Sequence, residues 1–299
     1  MNLLITNAWR QAEDFLPILR EKHVVHFLKW ENEELPVDPE WVEGIIGNGI
    51  FLSHPIDEFR NLRYIQLTSV GYDRVPMDHV KKHKIKIYNA KGVYSIPMAE
   101  MTLASVLRIY KEMDTFYENQ KEHRWEKRRG LREITGKKVV IIGCGSVGVE
   151  CAKRFKAFGA LVFGVDIVRK QENSFEEIKG FNELESLLTD ADIVVVSVPL
   201  TEQTKGMFRR EHFDRLKKDC ILINIARGQI VDQTALIEWA KNGGYVVLDV
   251  FETEPLETES IFWDLKNVLV FPHNSFVGEG NDKRLSELIF KNLKEIGEM

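Results

Sequence analysis

The sequence predicts an α/β protein with two domains, each built on a doubly wound parallel sheet. Three observations lead to this fold class. The chain has 299 residues, more than a single hydrophobic core ordinarily organises. Short apolar runs alternate with helical patterns in two separate series, which is typical of parallel sheets covered by helices. A long helical pattern between the two series marks a connection between domains.

The first series fills the N-terminal third of the chain. Its apolar runs predict strands at Leu3–Thr6, Val24–Leu28, Gly44–Gly49, Leu62–Leu67 and Ile85–Tyr88. Helical periodicity at Asp38–Val42 and Met77–Lys82 predicts helices between strands. The pattern from Pro97 to Gln120 predicts one long helix, with Pro97 well suited to its first turn.

The second series begins after Gly136 and is the more apolar of the two. Its predicted strands are Val139–Ile142, Ala160–Asp166, Ile193–Val198, Cys220–Asn224, Tyr245–Val250 and Val268–Phe271. The first two flank a predicted helix at 146–158. Strands that are apolar on both faces must be covered by helices on both sides, as in Rossmann-like and flavodoxin-like domains.

Charge and composition exclude several classes of function. The chain carries 41 basic and 46 acidic side chains, a formal net charge of −5, and the basic residues form no long stripe, so we expect no nucleic-acid partner. We also expect no membrane association and a cytoplasmic location, because no apolar run approaches about 20 residues and the start lacks a signal-peptide pattern. Cys144, Cys151 and Cys220 lack CxxC spacing, which favours small core residues over disulfides or a metal site.

A glycine-rich turn predicts the cofactor site. Gly143-Cys144-Gly145-Ser146-Val147-Gly148 matches GxGxxG directly after an apolar strand and at the start of a helix. Gly143 permits the tight turn, Gly145 lets the backbone approach a pyrophosphate, and Gly148 lets helix and strand pack closely. The amides of Ser146 and Val147 would then face the phosphates. The alternative is a strand-turn-helix that binds nothing.

Asp166 predicts NAD rather than NADP as the cofactor. It ends the next strand, about 20 residues after the glycines, where a carboxylate accepts hydrogen bonds from the adenosine ribose and repels a 2′-phosphate. Arg169 leaves this preference open, because a nearby guanidinium could tolerate a phosphate.

Three further segments follow predicted strands at their carboxyl ends, where doubly wound sheets bind ligands. They are Asn224-Ile225-Ala226-Arg227-Gly228, Asp249-Val250-Phe251-Glu252-Thr253-Glu254-Pro255-Leu256 and Pro272-His273-Asn274. With the glycine-rich turn and the segment Val198–Thr204, they make the chain resemble the D-isomer-specific 2-hydroxyacid dehydrogenase family nearly from end to end. The resemblance implies an NAD-dependent enzyme that interconverts a 2-keto acid and its D-2-hydroxy acid.

The same resemblance implies a catalytic triad. Arg227 would hold the substrate carboxylate and polarise the 2-oxo group, since a guanidinium donates two aligned hydrogen bonds to a carboxylate. His273 would be the general acid and base for the substrate oxygen. Glu254 would pair with the other ring nitrogen, orienting the imidazole and favouring its protonated form.

Other residues gain roles only through the resemblance. Asp249 would reach the nicotinamide carboxamide, and Val70 and Gly71 would offer backbone amides to the substrate carboxylate. Tyr94 and Ser95 would line the opposite wall of the cleft, with packing and helix capping as alternatives. The remaining cofactor-binding residues that the resemblance implies are Val198, Pro199, Thr204 and Ala226.

The resemblance also implies a domain arrangement. A substrate domain of residues 1–96 and 275–299 would be interrupted by an NAD-binding domain at 97–274, and substrate and cofactor would meet in the cleft between them. Helix 97–120 and the following loop would form the surface of a homodimer.

Alternatives remain at the level of function. An NADH-dependent sensor of the corepressor type would share the triad, and a reductase of phosphorylated hydroxy acids would need Arg60, Arg74 or Lys91 to face the cleft. In the family that the chain resembles, the sequence Ile-Gly-Gly usually follows the histidine. This chain has Asn274-Ser275-Phe276 there, so the resemblance does not decide the identity of the substrate.

Overall fold

The computed structural model describes residues 1–169 and 171–297. Within them the strands are β1 Asn2–Thr6, β2 Val24–Leu28, β3 Gly44–Gly47, β4 Tyr64–Leu67, β5 Lys86–Tyr88, β6 Lys138–Ile142, β7 Leu161–Val165, β8 Glu177–Lys179, β9 Ile193–Val196, β10 Ile221–Asn224, β11 Tyr245–Leu248 and β12 Val268–Val270. The helices are α1 Ala12–Arg20, α2 Met77–Lys82, α3 Ser95–Tyr110, α4 Met113–Lys121, α5 Ser146–Ala157, α6 Leu184–Leu188, α7 Arg210–Phe213, α8 Gln233–Lys241 and α9 Asn281–Glu295.

The chain forms two compact units. Unit 1 comprises Met1–Tyr94 and Gly278–Met299, and unit 2 comprises Ser95–Val277. Each unit contains one sheet, and the paired strands of both sheets are parallel among the described residues. The predicted α/β class with two doubly wound sheets is therefore confirmed.

Unit 1 has the strand order β2-β1-β3-β4-β5, a flavodoxin-like sheet with its order reversal beside β1. Helix α9 returns to this unit from the far end of the chain and packs on one face of the sheet, where Trp9 is fully buried near Phe290. The Trp9 indole donates a 2.9 Å hydrogen bond to the Ser286 hydroxyl, and the Asn292 amide donates one of 2.7 Å to Gln66. Buried hydrogen bonds thus hold α9 on the sheet in addition to its apolar stripe.

Unit 2 has the strand order β12-β11-β10-β9-β6-β7-β8, a Rossmann-like sheet. Its order reverses between β6 and β9, so a crevice opens at the carboxyl ends of these two strands. Strands β9 and β10 are buried along their whole length because helices cover both faces. Two apolar clusters fill the space on the two sides of the sheet.

Two helix predictions were wrong. The pattern at 97–120 forms two helices, α3 and α4, and the chain turns between them at Glu112, which has a φ of +47°. Tertiary contacts hold this break: Lys111 donates a 2.8 Å hydrogen bond to the Arg132 carbonyl, and the Arg132 guanidinium lies 4.3 Å from the Tyr110 ring centre. The predicted helix at Asp38–Val42 is a single 3₁₀ turn over Pro39–Trp41.

The three cysteines are buried and free, which confirms that they are core residues. Burial raises the pKa of the Cys151 thiol to about 12. In the described parts of the chain, no group of three or more His, Cys, Asp or Glu side chains is arranged to hold a metal ion. Every described helix is too short or too polar to cross a bilayer.

Candidate active site

The glycine-rich turn connects β6 to α5 at the crevice of unit 2. Gly143 has a φ of +99°, and a Cβ at this position would lie 2.8 Å from backbone atoms of Ser197 and Val198. The turn therefore packs directly on the segment that follows β9, and the Ser197 hydroxyl donates a 2.8 Å hydrogen bond to the Gly143 carbonyl. A Cβ at Gly148 would lie 2.0 Å from the same carbonyl, so only glycine allows α5 to approach this closely.

Gly145 has a different role from the other two glycines. A Cβ placed on it would meet no described atom within 4 Å, so the packing of unit 2 does not require glycine here. The position faces open space at the amino end of α5, which begins at Ser146. Because Gly145 has no side chain, a pyrophosphate group can approach the backbone amides at the start of α5. The residues present therefore fit a dinucleotide cofactor.

Asp166 follows β7 and lies beside this turn, partly exposed. One carboxylate oxygen accepts a 2.7 Å hydrogen bond from the Cys144 amide, and the other accepts one of 3.1 Å from the Val168 amide. These backbone donors hold the carboxylate at the carboxyl edge of the sheet. Arg169, which left the cofactor preference open, forms a 2.6 Å ion pair with Glu183.

The segment after β9 forms a folded loop. The Thr204 hydroxyl donates a 2.6 Å hydrogen bond to the Pro199 carbonyl and accepts one of 2.8 Å from the Thr201 amide. Val198 is buried beside the glycine-rich turn, and Pro199 is exposed. The loop thus lies on the far side of the crevice from α5.

Arg227 lies on the loop that follows β10. The Asn224 side chain holds this loop: its amide donates a 3.0 Å hydrogen bond to the Arg227 carbonyl, and its oxygen accepts one of 3.1 Å from the Ala226 amide. The Arg227 guanidinium donates to the Ala226 carbonyl at 2.7 Å and is only partly buried. Asn224 was not predicted as a site residue, although a polar side chain at the end of a buried apolar strand was a usable signal.

Gly228, on the loop after β10, packs directly against the loop after β11. A Cβ on Gly228 would lie 2.0 Å from the Phe251 carbonyl carbon and 2.3 Å from the Glu252 nitrogen. The Gln229 side chain also donates a 3.1 Å hydrogen bond to the Glu252 carbonyl. The two loops, and with them Arg227 and the segment leading to Glu254, are therefore held in contact. The sequence analysis did not identify this role of Gly228.

Glu254 and His273 form a hydrogen-bonded pair. The His273 Nδ1 lies 2.7 Å from one carboxylate oxygen of Glu254, and the other oxygen accepts a 3.0 Å hydrogen bond from the Phe251 amide. The two side chains are 38% and 35% exposed, so solvent and small molecules can reach the imidazole. When Nδ1 donates to Glu254, Nε2 is the nitrogen that can exchange a proton with a ligand.

The backbone of His273 is in the left-handed region, with a φ of +50°. Asp249, at the end of β11 and almost fully buried, accepts a 2.7 Å hydrogen bond from the Asn274 amide and one of 3.1 Å from the Ser275 amide. The Phe276 ring stands edge-on to the His273 ring, with centroids 6.0 Å apart. Asp249 is thus bonded directly to the segment that carries His273.

The predicted residues outside these loops lie on the 69–95 stretch. In unit 1 the Asn89 side chain donates a 2.7 Å hydrogen bond to the Val70 carbonyl, and the Ser69 hydroxyl donates to the Gly71 carbonyl at 3.2 Å. The Tyr94 hydroxyl donates to the Thr68 carbonyl, and burial raises the pKa of Tyr94, so the phenol stays neutral. Ser95 belongs to unit 2, where it is the buried first residue of α3.

Comparisons with known proteins identify the family to which the chain belongs. The family model described as "D-isomer specific 2-hydroxyacid dehydrogenase, NAD binding domain" matches residues 103–275. The glyoxylate reductase of Pyrococcus horikoshii is 34% identical over 258 residues, covering 81% of this chain and 77% of its own.

Two solved structures share the fold over nearly the whole chain. The D-lactate dehydrogenase of Aquifex aeolicus, complexed with NAD and lactic acid, has a TM-score of 0.77 and 25% identity over 99% of this chain and 95% of its own. A D-isomer specific 2-hydroxyacid dehydrogenase of Xanthobacter autotrophicus, in complex with NADPH and MES, has a TM-score of 0.79 and 27% identity over 99% and 96%. The chain therefore belongs to the D-isomer specific 2-hydroxyacid dehydrogenase family, and it is an NAD-dependent oxidoreductase that interconverts 2-keto acids and 2-hydroxy acids.

Proposed function

We propose that this enzyme acts on a small, unphosphorylated 2-keto acid and its D-2-hydroxy acid, with His273 as general acid and base. The observation that carries the proposal is the 2.7 Å pair of His273 and Glu254 on adjacent strand ends, with a partly exposed imidazole. A histidine held by a carboxylate and open to solvent on its other side is suited to proton exchange with a substrate oxygen.

The reaction divides between cofactor and protein. When bound, the nicotinamide supplies or accepts the hydride. His273 donates a proton from Nε2 to the carbonyl oxygen of the keto acid and takes it back in the reverse direction. Glu254 keeps the ring oriented through its contact with Nδ1. Arg227 binds the substrate carboxylate through paired N–H donors and polarises the neighbouring carbonyl.

A panel of substrates tests this proposal. NADH oxidation should be followed with glyoxylate, pyruvate, hydroxypyruvate, branched and aromatic 2-keto acids, and one phosphorylated 2-keto acid. We expect the highest kcat/KM with a small unphosphorylated acid, as the relationship to a glyoxylate reductase suggests. A phosphorylated substrate would need a basic residue such as Arg60 to bind its phosphate group. Arg60 instead forms a 3.0 Å ion pair with Glu40. Highest efficiency with the phosphorylated acid would contradict the proposal.

The binding of NAD rather than NADP is proposed from the surroundings of Asp166. Its carboxylate would face the ribose hydroxyls, and Glu183 holds the guanidinium of Arg169 that could otherwise pair with a 2′-phosphate. Ser146, Val147, Val198, Pro199, Thr204, Ala226 and Asp249 are the further residues proposed to contact the cofactor. Val70, Gly71, Tyr94 and Ser95 are proposed for the substrate.

Replacing Asp166 with alanine should relax the choice of cofactor. We expect the Asp166→Ala protein to bind NADH about ten-fold more weakly, with the ratio of the NADPH and NADH dissociation constants moving towards one, because a hydrogen-bonded charge is lost. Titration of reduced-nucleotide fluorescence measures both constants. Asp190→Ala is the control, since Asp190 pairs with Lys138 at the opposite end of β6. Equal affinity of the unmodified protein for both nucleotides would contradict the assignment.

Replacing Gly145 should separate cofactor binding from folding. The methyl group of Gly145→Ala meets open space, so we expect an unchanged Tm but NADH binding weakened by about ten-fold or more, because the backbone can no longer approach the pyrophosphate. Gly148→Ala is the matched control, in which the new Cβ meets the Gly143 carbonyl and Tm should fall. Full NADH affinity in Gly145→Ala would refute the placement of the pyrophosphate.

We further propose a cytoplasmic homodimer. Helix α4 exposes an apolar stripe of Met113, Phe116 and Tyr117, and Trp125 in the following segment is 95% exposed. A cluster of exposed aromatic side chains is typical of an interface. Light scattering of the purified protein measures the oligomeric state. Buried free thiols are compatible with a reducing compartment such as the cytoplasm.

A further inference from the structure

The backbone of His273 has a conformation that needs support from its surroundings. A φ of +50° is unfavourable for a residue with a Cβ, so it persists only where neighbouring contacts over-determine it. The Glu254 carboxylate orients the ring but makes no backbone contact at 273–275 in the described hydrogen bonds. The backbone that follows His273 is held by a different carboxylate.

This carboxylate is the buried side chain of Asp249. The backbone amide of Asn274 donates a 2.7 Å hydrogen bond to one carboxylate oxygen of Asp249. The backbone amide of Ser275 lies 3.1 Å from both oxygens. The Ser275 hydroxyl donates to the second oxygen as well. Asp249 and Ser275 are each 1% exposed, so water does not compete for the bonds between these two residues. A buried carboxylate needs such donors, and hydrogen bonds to a charged acceptor are stronger than those between neutral groups.

Ser275 differs from the other donors because it also bonds Asp249 through its side chain. Glycine at this position would leave the backbone amides of 274 and 275 as donors to Asp249 but would remove the hydroxyl. Serine therefore adds a side-chain donor to the segment that carries His273, and Phe276 adds an aromatic contact to the imidazole itself.

The structure assigns Ser275 the role of a positioning residue for His273, acting through Asp249. This inference rests on the proposed role of His273 as proton donor. The hydroxyl of Ser275 ties the second oxygen of Asp249, so the carboxylate cannot rotate away from the Asn274 and Ser275 amides. The His273 backbone is thereby kept in its left-handed conformation, with Nδ1 against Glu254. Proton transfer requires this placement, because small displacements of a catalytic group lower the rate strongly.

The test is the variant Ser275→Ala in the full-length enzyme. We expect kcat to fall about ten-fold, the equivalent of one hydrogen bond to a charged group, while the keto-acid KM stays within about two-fold. Ser275→Cys, which keeps the shape but has a weaker donor, should give an intermediate kcat. Ser105→Ala is the matched control: this buried serine on α3 donates at 2.8 Å to the Met101 carbonyl, and its loss should leave kcat unchanged.

A double-mutant cycle distinguishes positioning from a general structural effect. In a His273→Gln background, Ser275→Ala should lower the residual kcat by less than about two-fold, because the group that it positions is gone. An equal fall of kcat in both backgrounds, or a wild-type kcat in Ser275→Ala, would overturn the inference. If Ser275→Ala does not fold, a wild-type kcat in Ser275→Cys overturns it. Failure of the proposed function would show separately, as a wild-type kcat in His273→Gln alone.

Discussion

The variant His273→Gln should lower kcat by about 10²–10⁴-fold, because glutamine cannot donate a proton to the carbonyl oxygen as it is reduced. Glutamine preserves much of the size and polarity of the imidazole, so the Arg227 loop and the glycine-rich turn should remain in place. We therefore expect the NADH dissociation constant, measured by fluorescence titration, to change little. Steady-state kinetics with the best keto acid of the panel gives kcat and KM.

The control for this prediction is His212→Gln. His212 lies on α7, where its ring accepts a 3.1 Å hydrogen bond from the Arg209 amide. Burial lowers the pKa of His212, so this ring is neutral near pH 7 and a neutral amide can replace it. We expect kcat to be unchanged in this variant. A wild-type kcat in His273→Gln would remove His273 from the mechanism, whatever the control shows.

The variant Gly228→Ala should lose both stability and activity. Its Cβ would meet the backbone of Phe251 and Glu252 at 2.0–2.3 Å, and backbone atoms cannot move aside as the end of a flexible side chain can. We expect the free energy of unfolding to fall by about 3 kcal/mol, which is at the upper end of the range for overpacking. For a unit of this size that corresponds to a fall in Tm of about 6–12 °C, which differential scanning calorimetry measures.

The accompanying loss of activity should exceed what unfolding explains. Because Gly228 holds the Arg227 loop against the segment that leads to Glu254, the methyl group must push the two apart. We expect keto-acid KM to rise and kcat to fall in protein that is still folded at the assay temperature. For the fall in Tm, Gly145→Ala controls for the loss of a loop glycine, since its Cβ meets open space and its Tm should be unchanged. A Gly228→Ala protein with wild-type Tm would show that the two loops are not packed as described.

Most strands of unit 2 were predictable because they are continuous apolar runs. Strand β10 was expected at Cys220–Asn224 and lies at Ile221–Asn224. Strand β8, Glu177–Lys179, was not predicted, since this short polar segment becomes a strand only by pairing with β7 at the edge of the sheet. The break between α3 and α4 was missed for a similar reason: helical periodicity continues across it, and the contacts of Arg132 hold it.

The candidate site was likewise predictable from the sequence only in part. The glycine-rich turn, Asp166 and the strand-end segments with Arg227, Glu254 and His273 were identified from the order of residues along the chain. The turn is encoded locally because its tight bend needs glycine, whereas the roles of Arg227, Glu254 and His273 came from the family resemblance. The pairing of His273 with Glu254 was expected from the resemblance, and the structure brings these two side chains together at 2.7 Å.

By itself, the sequence determined the fold class and predicted the glycine-rich turn, and the family resemblance supplied the residues of the proposed triad. Only the tertiary structure decided that Gly228 packs on the Phe251–Glu252 peptide, that Glu183 holds Arg169, and that Ser275 bonds to buried Asp249. The physical reason is that motifs and periodicity report local conformation and burial. Contacts between loops that are 14–26 residues apart depend on the register of the parallel strands, and this register is set when the whole sheet packs.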